Sequence, residues 1–514
     1  MGGVSEDLRH ARRGGLIQGD RVDTRATAPL SDAVPWLALG FLVLVAAVAR
    51  AIGLNSGLWI DEIYSLVRSF RSPVGSILTE YWGDNHHPLY ALLAHFSRGI
   101  FGESAWSVRL PSFLFGVAAI PALYALARRL VPQREALLAC ALLAVSYHHV
   151  WFSQNARGYS AMAFFAIVLT WLALRGLSDG GMRVWVLYAV LAGLAAFTHL
   201  TAVFIVVGHA LAIAIFMLFI ASKSPSLITI LRRAAIGFVL AAAVTLLLYA
   251  AMLPQVIDYF VNRPSLLVGV STTRWAALET VRVLLLGLSG GIIAAGVVAL
   301  TLGTLSVGSG LISMWRRAPA FVLLLIMPML VTIAGAFAAR GTMYPRFFFF
   351  AIGPALIVVV RGGFAIAEWI ARHSPWRVFA NAERLATAAV AAVIVLSALS
   401  LVPNYRYPKQ DFEGAMRYVL ATKGPSDAVV SSGVPADPYS QLWQLPWPNV
   451  ETAQQLTQAR DSAPRTWVLY TFPRYLESRS PDIAAVIRRD CRQARVFRGT
   501  VGGGDIIVCT LEKA

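Results

Sequence analysis

Long apolar stretches recur along almost the whole chain and restrict its fold more than any other feature. Each is roughly twenty residues long, about the length that crosses a bilayer as a helix, and short polar connections separate them. Hydrophobic residues make up 57% of the 514 positions and charged residues only 14%, so a water-soluble fold could not bury the apolar surface. The sequence therefore predicts a polytopic α-helical membrane protein.

The apolar stretches predict about eleven membrane spans. They are expected near residues 34–52, 108–129, 135–152, 159–175, 184–199, 201–221, 234–253, 282–312, 319–339, 347–366 and 385–402. The region 282–312 is too long for one simple span, so we expect a surface helix near residues 276–288 and a break at Ser289-Gly290-Gly291. Residues 1–33 are polar and basic and are expected to form a disordered tail.

The formal net charge of +17 is distributed in a way that predicts topology. Basic residues cluster before the first predicted span and in alternate connections, as the positive-inside rule requires. We therefore expect a cytoplasmic N-terminus and a C-terminal end on the outer side. This distribution argues against nucleic-acid binding, and the basic connections without a eukaryotic retention signal favour the inner membrane of a bacterium.

This orientation predicts three parts of the chain outside the membrane. Two are outer segments among the helices, residues 53–107 and 254–277. The third is residues 403–514, where alternating helix and strand patterns predict a small α/β domain that follows the transmembrane domain 34–402. Cys491 and Cys509 both fall in this domain, and an oxidising compartment would allow a disulfide between them, although the sequence alone leaves that bond open.

An acidic pair directly after the first predicted span is the strongest candidate for chemistry. Asp61 and Glu62 are adjacent carboxylates that repel each other beside a low-dielectric region, with no cation next to them in sequence. Such an arrangement is costly unless it serves a function. The alternative interpretation is a solvated loop.

Further polar and aromatic motifs are predicted on the same face of the membrane. The first outer segment carries Asp84-Asn85-His86-His87-Pro88-Leu89-Tyr90 and, at the start of the next helix, Arg109-Leu110-Pro111-Ser112. The third span ends in Gln154-Asn155-Ala156-Arg157-Gly158-Tyr159, and a late helix begins at Pro345-Arg346-Phe347. Carboxylates, imidazoles and arginines gathered on one face are what a site for an anionic headgroup and a polar acceptor needs.

The order of these motifs resembles that of the C-type membrane glycosyltransferases of the family 39 type. This superfamily includes protein O-mannosyltransferases and lipid A aminoarabinose transferases, and the resemblance extends to the Asp411-Phe412-Glu413-Gly414-Ala415 start of the C-terminal domain. It implies a GT-C-like fold and inverting transfer of a sugar from a polyprenyl-phosphate donor to a glycan, lipid or protein acceptor on the outer face. The aminoarabinose branch has a lysine before two prolines where this chain has His86-His87-Pro88, which argues against that sugar.

The resemblance also implies roles for individual residues. Asp61 is the expected general base and Glu62 a second carboxylate that orients the acceptor or tunes Asp61. The remaining candidates are substrate-binding residues, namely Asp84 and His86 for acceptor, sugar or cation, Arg157 and then Arg346 for the phosphate, Tyr159 for the sugar, and Arg263 and Arg274 for the lipid carrier. For the arginines the alternative is contact with lipid headgroups, and for Tyr159 and His86 a place at the membrane interface.

Two questions stay open at this level. Asp61, Asp84 and His86 could supply ligands to a divalent cation, but their spacing is not that of a metal site, so no permanent metal is predicted. A transporter or flippase for lipid-linked sugars is the alternative function, although the chain shows neither two repeated halves nor acidic residues deep in the later spans. A catalytically inactive scaffold is the third reading, and the presence of the acidic pair argues against it.

Overall fold

The computed structural model of the chain is mostly helical, with one small β-sheet near the C-terminus. It describes residues 35–83, 85–178, 181–220, 225–262, 278, 281–282, 293–338, 344–375, 381–434 and 438–513. The predicted tail 1–33 and most of the predicted surface helix 276–288 lie outside the described residues.

The helices before the C-terminal domain are of two kinds, long apolar helices and short helices in the connections. In the first half they are α1 (Trp36–Ala51), α2 (Ile60–Ser65), α3 (Val74–Thr79), α4 (Pro88–Phe101), α5 (Ala105–Ala127), α6 (Gln133–Ala144), α7 (Tyr147–Ser153), α8 (Tyr159–Ser178), α9 (Met182–Thr198), α10 (Ala202–Ile215), α11 (Pro225–Tyr249) and α12 (Leu253–Val261). In the second half they are α13 (Ile293–Arg317), α14 (Pro319–Ala338), α15 (Ile352–His373), α16 (Ala382–Leu399) and α17 (Val402–Arg406).

Membrane-spanning helices dominate the part of the chain that the structure describes. Seven helices there are long and apolar enough to cross a bilayer, or eight when the bent pair α6–α7 counts as one span. Two shorter apolar helices, α1 and α9, lie where spans were predicted. The protein is thus a polytopic helical membrane protein as expected, while the number of eleven spans stays a prediction. The helix in the predicted region 282–312 is described from Ile293, just after the predicted break.

The predicted third span is in fact two helices, α6 and α7, that meet at an angle of 56°. Ser146 is the N-cap of α7, and its hydroxyl accepts from the His149 amide. The last carbonyl groups of α6 accept instead from the buried guanidinium of Arg50, which donates to Leu143 O at 3.1 Å and Ala144 O at 2.9 Å. Because Arg50 satisfies carbonyls that a continuous helix would pair, the break is stable inside the bundle.

The bundle core brings α5 very close to the end of α7. Leu123 of α5, Leu143 of α6 and Ala163 of α8 are completely buried in this core. Gly116 of α5 faces Ser153, where an added Cβ would lie only 2.2 Å from the Ser153 hydroxyl. A glycine is therefore required at this contact, which holds the turn after Ser153 against α5.

The two predicted outer segments pack on each other in the described part of the chain. The side-chain amide of Gln255 in α12 accepts from the Tyr81 amide at 2.6 Å and donates to Thr79 O at 2.9 Å. The rings of Tyr81 and Tyr259 meet edge to face, with centroids 5.6 Å apart. Helix α12 therefore supports the stretch that leads to His86.

The C-terminal region is an α/β domain, as predicted. Its elements are α18 (Phe412–Thr422), β1 (Ala428–Ser432), β2 (Asn449–Val450), α19 (Ala453–Ser462), β3 (Arg465–Tyr470), α20 (Pro473–Arg479), α21 (Pro481–Asp490), β4 (Arg492–Phe497) and β5 (Ile506–Glu512). The strands form one mixed sheet in the order β2-β1-β3-β5-β4, with β1 parallel to β2 and β3 and β5 antiparallel to its neighbours. The patterns near residues 427–431, 466–470 and 505–511 predicted β1, β3 and β5, whereas the exposed strand β4 lacks a clear apolar alternation.

Cys491 and Cys509 form the disulfide that the sequence left open, and it joins the start of β4 to β5.

We expect reduction of this bond to destabilise the C-terminal domain by about 3 kcal/mol, because the bond closes a loop of moderate length in the unfolded chain. Thermal unfolding of the full-length protein in detergent, with and without a reductant, measures the effect. The Cys491→Ala/Cys509→Ala variant is the control and should not respond to the reductant. An unchanged unfolding temperature after verified reduction would contradict the prediction.

Candidate active site

The two adjacent carboxylates, Asp61 and Glu62, lie in the first turn of a short helix and point in different directions. Helix α2 starts at Ile60, and the carboxylate of Glu62 turns back to accept from the Trp59 amide at 3.2 Å. This N-terminal capping contact directs Glu62 into the protein. The Asp61 side chain stays 19% exposed, whereas that of Glu62 is fully buried.

Glu62 forms a buried ion pair with Arg109 from the beginning of α5. Arg109 donates from Nε to Glu62 Oε1 at 2.8 Å and from Nη2 to Oε2 at 2.6 Å. The same guanidinium donates to carbonyl oxygens of Leu54, Ser56 and Gly57. Burial alone would raise the pKa of Glu62, but the charge and hydrogen bonds of Arg109, with a smaller effect of Lys409, lower it below its ordinary value. Glu62 is therefore held as a carboxylate that ties the segment before α2 to α5.

The turn between α7 and α8 carries the arginine that the sequence predicted for phosphate. Glu62 Oε1 also accepts from the Ala156 amide in this turn at 2.6 Å. The Trp59 indole donates to Asn155 Oδ1 at 3.0 Å, and the Ser112 hydroxyl bonds the carbonyl oxygens of Asn155 and Arg157. Residues of the Arg109-Leu110-Pro111-Ser112 motif and of the acidic pair thus hold one turn together.

Arg157 lies beside Asp61 and has unused hydrogen-bond donors. Its side chain is 2% exposed, and its Nη1 lies 3.4 Å from Asp61 Oδ2. Its guanidinium lies 5.8 Å from the centre of the Tyr159 ring. Neither Nε nor Nη1 donates a hydrogen bond to any residue that the structure describes. A buried guanidinium with free donors is suited to an anionic ligand, since leaving such donors unpaired is unfavourable.

Three histidines extend this site beyond Tyr159. The rings of His87 and His199 lie 4.6 Å apart, and the Tyr159 ring contacts both. His87 donates from Nδ1 to Thr198 O at 3.1 Å. His86 stacks on Trp82 with a centroid distance of 5.5 Å, and neither of its ring nitrogens bonds another described residue. Burial lowers the pKa of His86 to about 4, so this imidazole is neutral near pH 7 and available as a hydrogen-bond donor and acceptor.

The second arginine predicted for phosphate, Arg346, approaches the same cluster. It lies in a 3-10 turn, Pro345–Ala351, and its guanidinium is 4.5 Å from the centre of the Tyr344 ring. Arg157 and Arg346 both lie close enough to His199 for their positive charges to interact with its imidazole. Phe349 of the same turn packs against Phe152 with ring centroids 4.3 Å apart.

Most of the predicted site residues that the structure describes therefore lie in one region. Arg157 lies next to both Asp61 and Tyr159, and His86 and Arg346 join them through His87 and His199. Asp84, Arg263 and Arg274 lie outside the described residues, so their predicted roles stay predictions. Within the described part of the chain no group of three or more His, Cys, Asp or Glu side chains is arranged to hold a metal ion.

Sequence reasoning missed several residues of this region. His87 and His199 were not predicted as members of the site, although His87 belongs to the motif that begins at Asp84. Lys409 was missed entirely, and the one available signal was that it is among only four lysines in a chain with 44 Lys and Arg residues.

Known proteins share both part of this sequence and its fold. Residues 85–249, which include His86, Arg157 and Tyr159, match the family profile described as dolichyl-phosphate-mannose-protein mannosyltransferase. The apo crystal structure of ArnT from Cupriavidus metallidurans aligns with a TM-score of 0.51 and 14% identity, over 92% of this chain and 97% of that one. The fold is that of the C-type membrane glycosyltransferases. The predicted resemblance is thereby confirmed, including the bundle followed by a small C-terminal domain.

A second solved C-type glycosyltransferase shows the same fold. The Archaeoglobus fulgidus oligosaccharyltransferase, tethered to an acceptor peptide with an NVT sequon, aligns with a TM-score of 0.51 and 11% identity. The alignment covers 92% of this chain and 74% of that one. A search of curated protein sequences found no match.

Proposed function

We propose that this protein is an inverting glycosyltransferase that moves a sugar from a polyprenyl-phosphate donor to an acceptor on the outer face of the membrane. The observation that carries the proposal is the pairing of a partly exposed carboxylate, Asp61, with a buried arginine, Arg157, whose Nε and Nη1 donate no hydrogen bond to any described residue. The match of residues 85–249 to a family that uses a dolichyl-phosphate-linked sugar supports this donor class.

The chemistry needs a base and an anion-binding group on opposite sides of the sugar. Asp61 takes the proton of the acceptor hydroxyl as its oxygen attacks the anomeric carbon. The bond between that carbon and the phosphate oxygen breaks, and the electron pair leaves with the polyprenyl phosphate. Arg157 binds the phosphate and stabilises its growing charge, with Arg346 as the second cation. Because the attack comes from the face opposite the phosphate, the configuration of the sugar is inverted.

Donor binding has to separate Asp61 from Arg157. Their side chains are 3.4 Å apart, which leaves no room for a sugar between them. The phosphate would replace Asp61 as the anion beside Arg157, and the sugar would occupy the space that opens. The freed carboxylate then faces the anomeric carbon.

In this proposal the remaining residues bind the substrates or hold the reacting groups in position. Glu62 acts as a positioning residue, since both of its oxygens are occupied by Arg109 and by backbone amides. His86 and Tyr159 line the sugar or acceptor side, where a neutral imidazole with two unpaired nitrogens can bond hydroxyl groups. Carrier contacts of Arg263 and Arg274 are part of this proposal, whereas a divalent cation with Asp61, Asp84 and His86 is the open question that the sequence left, and no permanent metal is proposed.

Reconstitution into vesicles with a labelled polyprenyl-phosphate sugar tests the function. We expect acceptor-dependent release of polyprenyl monophosphate and an acceptor product of inverted anomeric configuration. Movement of the intact lipid-linked sugar across the vesicle membrane, with no cleavage, would instead identify a flippase.

The N-terminus is expected on the cytoplasmic side of a bacterial inner membrane and the C-terminal domain on the outer side. Labelling of accessible residues in native cells checks this orientation.

We expect Arg157→Ala to weaken binding of a polyprenyl monophosphate about 10- to 100-fold, because a charge-assisted contact contributes about 1.5–3 kcal/mol. The affinity is measured on the protein in nanodiscs. Arg175→Ala, which removes an exposed arginine of α8, is the matched control and should bind as the unaltered protein does. Equal affinity of the Arg157 variant would show that this residue does not bind the phosphate.

A further inference from the structure

The connection between the last membrane helix and the C-terminal domain runs through the candidate active site. Lys409 and Gln410, immediately after Pro408, are 4% and 1% exposed. Such burial is unusual for polar residues in a connection between domains, which normally lies on the surface. Both side chains are bonded to segments that carry the proposed reacting groups.

Lys409 holds the turn that presents Arg157. Its Nζ donates to Gln154 O at 2.6 Å and lies 4.9 Å from the centre of the Trp151 ring. Gln154 is three residues before Arg157, and its side chain also donates to the carbonyl oxygen of Arg50. Burial lowers the pKa of Lys409 to about 7, and its amino group, bonded to a backbone oxygen and facing an aromatic ring, is held in one position.

Gln410 holds the start of the helix that presents Asp61. Its Oε1 accepts from the Ile60 amide at 3.1 Å, and its Nε2 donates to Gly504 O at 3.1 Å. The Ile60 amide is one of the first amides of α2, which have no partner within the helix. Gln410 therefore connects the residue before Asp61 directly to a loop of the C-terminal domain.

A loop of the C-terminal domain, residues 498–505, holds the backbone of this connection. The Thr500 and Val501 amides donate to Pro408 O at 2.9 Å and Lys409 O at 3.1 Å. The Thr500 hydroxyl accepts from the Trp151 indole at 3.0 Å. A Cβ added at Gly499 would lie 2.3 Å from Lys409 O, so the loop and the connection are in the closest possible contact.

We propose that Lys409 and Gln410 are positioning residues through which the C-terminal domain fixes the placement of Asp61 relative to Arg157. The two residues are consecutive, and one reaches the segment before Asp61 while the other reaches the segment before Arg157. A shift of the 498–505 loop therefore displaces both reacting groups. The inference rests on the proposed function and adds a role for the C-terminal domain in catalysis itself.

The first test replaces Lys409 with Met, which keeps most of the side-chain volume and removes the amino group that donates to Gln154 O. We expect polyprenyl monophosphate to bind about tenfold more weakly and kcat for sugar transfer to fall about 10- to 100-fold, since a displacement of about 1 Å can cost 10²-fold. Lys513→Met, which alters an exposed lysine at the end of the same domain, is the matched control and should leave both values unchanged.

The second test changes the domain without touching the connection. Gly499→Ala places a methyl group against Lys409 O, whereas a Cβ at Gly424, in the same domain, meets only ordinary contacts at 3.5 Å. We expect Gly499→Ala to lower kcat about tenfold and Gly424→Ala to leave it unchanged. This pair keeps the inference testable if Lys409→Met does not fold.

Thermal unfolding and the kinetic constants are measured on the same full-length preparations. If Lys409→Met or Gly499→Ala lowers only the unfolding temperature, with kcat and the donor KM unchanged, the connection at Lys409 and Gln410 is only structural and the inference fails. Arg157→Ala is assayed in parallel. Weakened phosphate binding by Arg157→Ala with none by Lys409→Met overturns only the inference, whereas unchanged binding in both overturns the proposed phosphate site.

Discussion

Asp61→Asn is expected to lower kcat for sugar transfer by about 10³-fold, because positioned general bases contribute 10²–10⁴-fold and the amide cannot take the acceptor proton. Binding of polyprenyl monophosphate should be equal or tighter, since the substitution removes the carboxylate that lies 3.4 Å from Arg157. The expected signature is therefore a loss of turnover with retained donor binding. Both are measured on the purified protein in nanodiscs.

Glu80→Gln is the matched control for this experiment. Glu80 is an exposed carboxylate in the same 53–107 segment, at the end of α3. We expect this variant to transfer sugar at the unaltered rate. Turnover by Asp61→Asn near the rate of the unaltered protein would exclude Asp61 as the base.

The second large effect is expected on stability. Arg109→Met should destabilise the folded protein by about 3–5 kcal/mol, because it leaves the carboxylate of Glu62 buried without a cation. Turnover should be lost as well, since the ion pair holds Ala156 and the start of α2. The thermal unfolding temperature and the fraction of folded protein after purification measure the first effect.

A second Arg–Glu pair in the same segment provides the control. Arg71 and Glu103 are also 2.6 Å apart, but their side chains are 35% and 34% exposed. An exposed pair contributes about 0–1 kcal/mol, so Arg71→Met should have little effect. Equal effects of the two substitutions would contradict a structural role of the buried pair.

The buried pair also predicts a dependence on pH. Because the pKa of Glu62 is lower in the folded protein than in the unfolded chain, the pair stabilises the fold above the ordinary carboxyl pKa. This contribution is lost as the pH falls through the folded-state pKa. We expect the free energy of unfolding of the unaltered protein to fall steeply below about pH 4.5. In Arg109→Met, which lacks the ion pair, this fall should be less steep.

Much of the fold and part of the candidate site could be predicted from local patterns. Apolar stretches determine which segments span the membrane, and basic connections predict the face to which each helix end is delivered. That is why Asp61 and Arg157, far apart in sequence, could be predicted on one face. The same patterns gave no distance between them, because distance depends on how the helices pack.

The break between α6 and α7 illustrates the limit. The stretch 135–152 has the length and apolar character of one span, so its pattern predicts a continuous helix. The structure bends it by 56° because Arg50, on a different helix, satisfies the carbonyl groups at the break. A contact between residues 94 positions apart is not visible in a local pattern.

The different environments of the two adjacent carboxylates depended on the tertiary structure in the same way. The sequence by itself determined that this is a multi-spanning membrane protein with an α/β domain at its end, because hydropathy and periodicity act locally. It also marked Asp61, Glu62 and Arg157 as unusual charges near the membrane. Only the tertiary structure decided that Glu62 is buried against Arg109 while Asp61 faces Arg157, and that Lys409 enters the site. Those assignments depend on which distant charge reaches each group, and a buried charge is tolerated only where such a partner is in place.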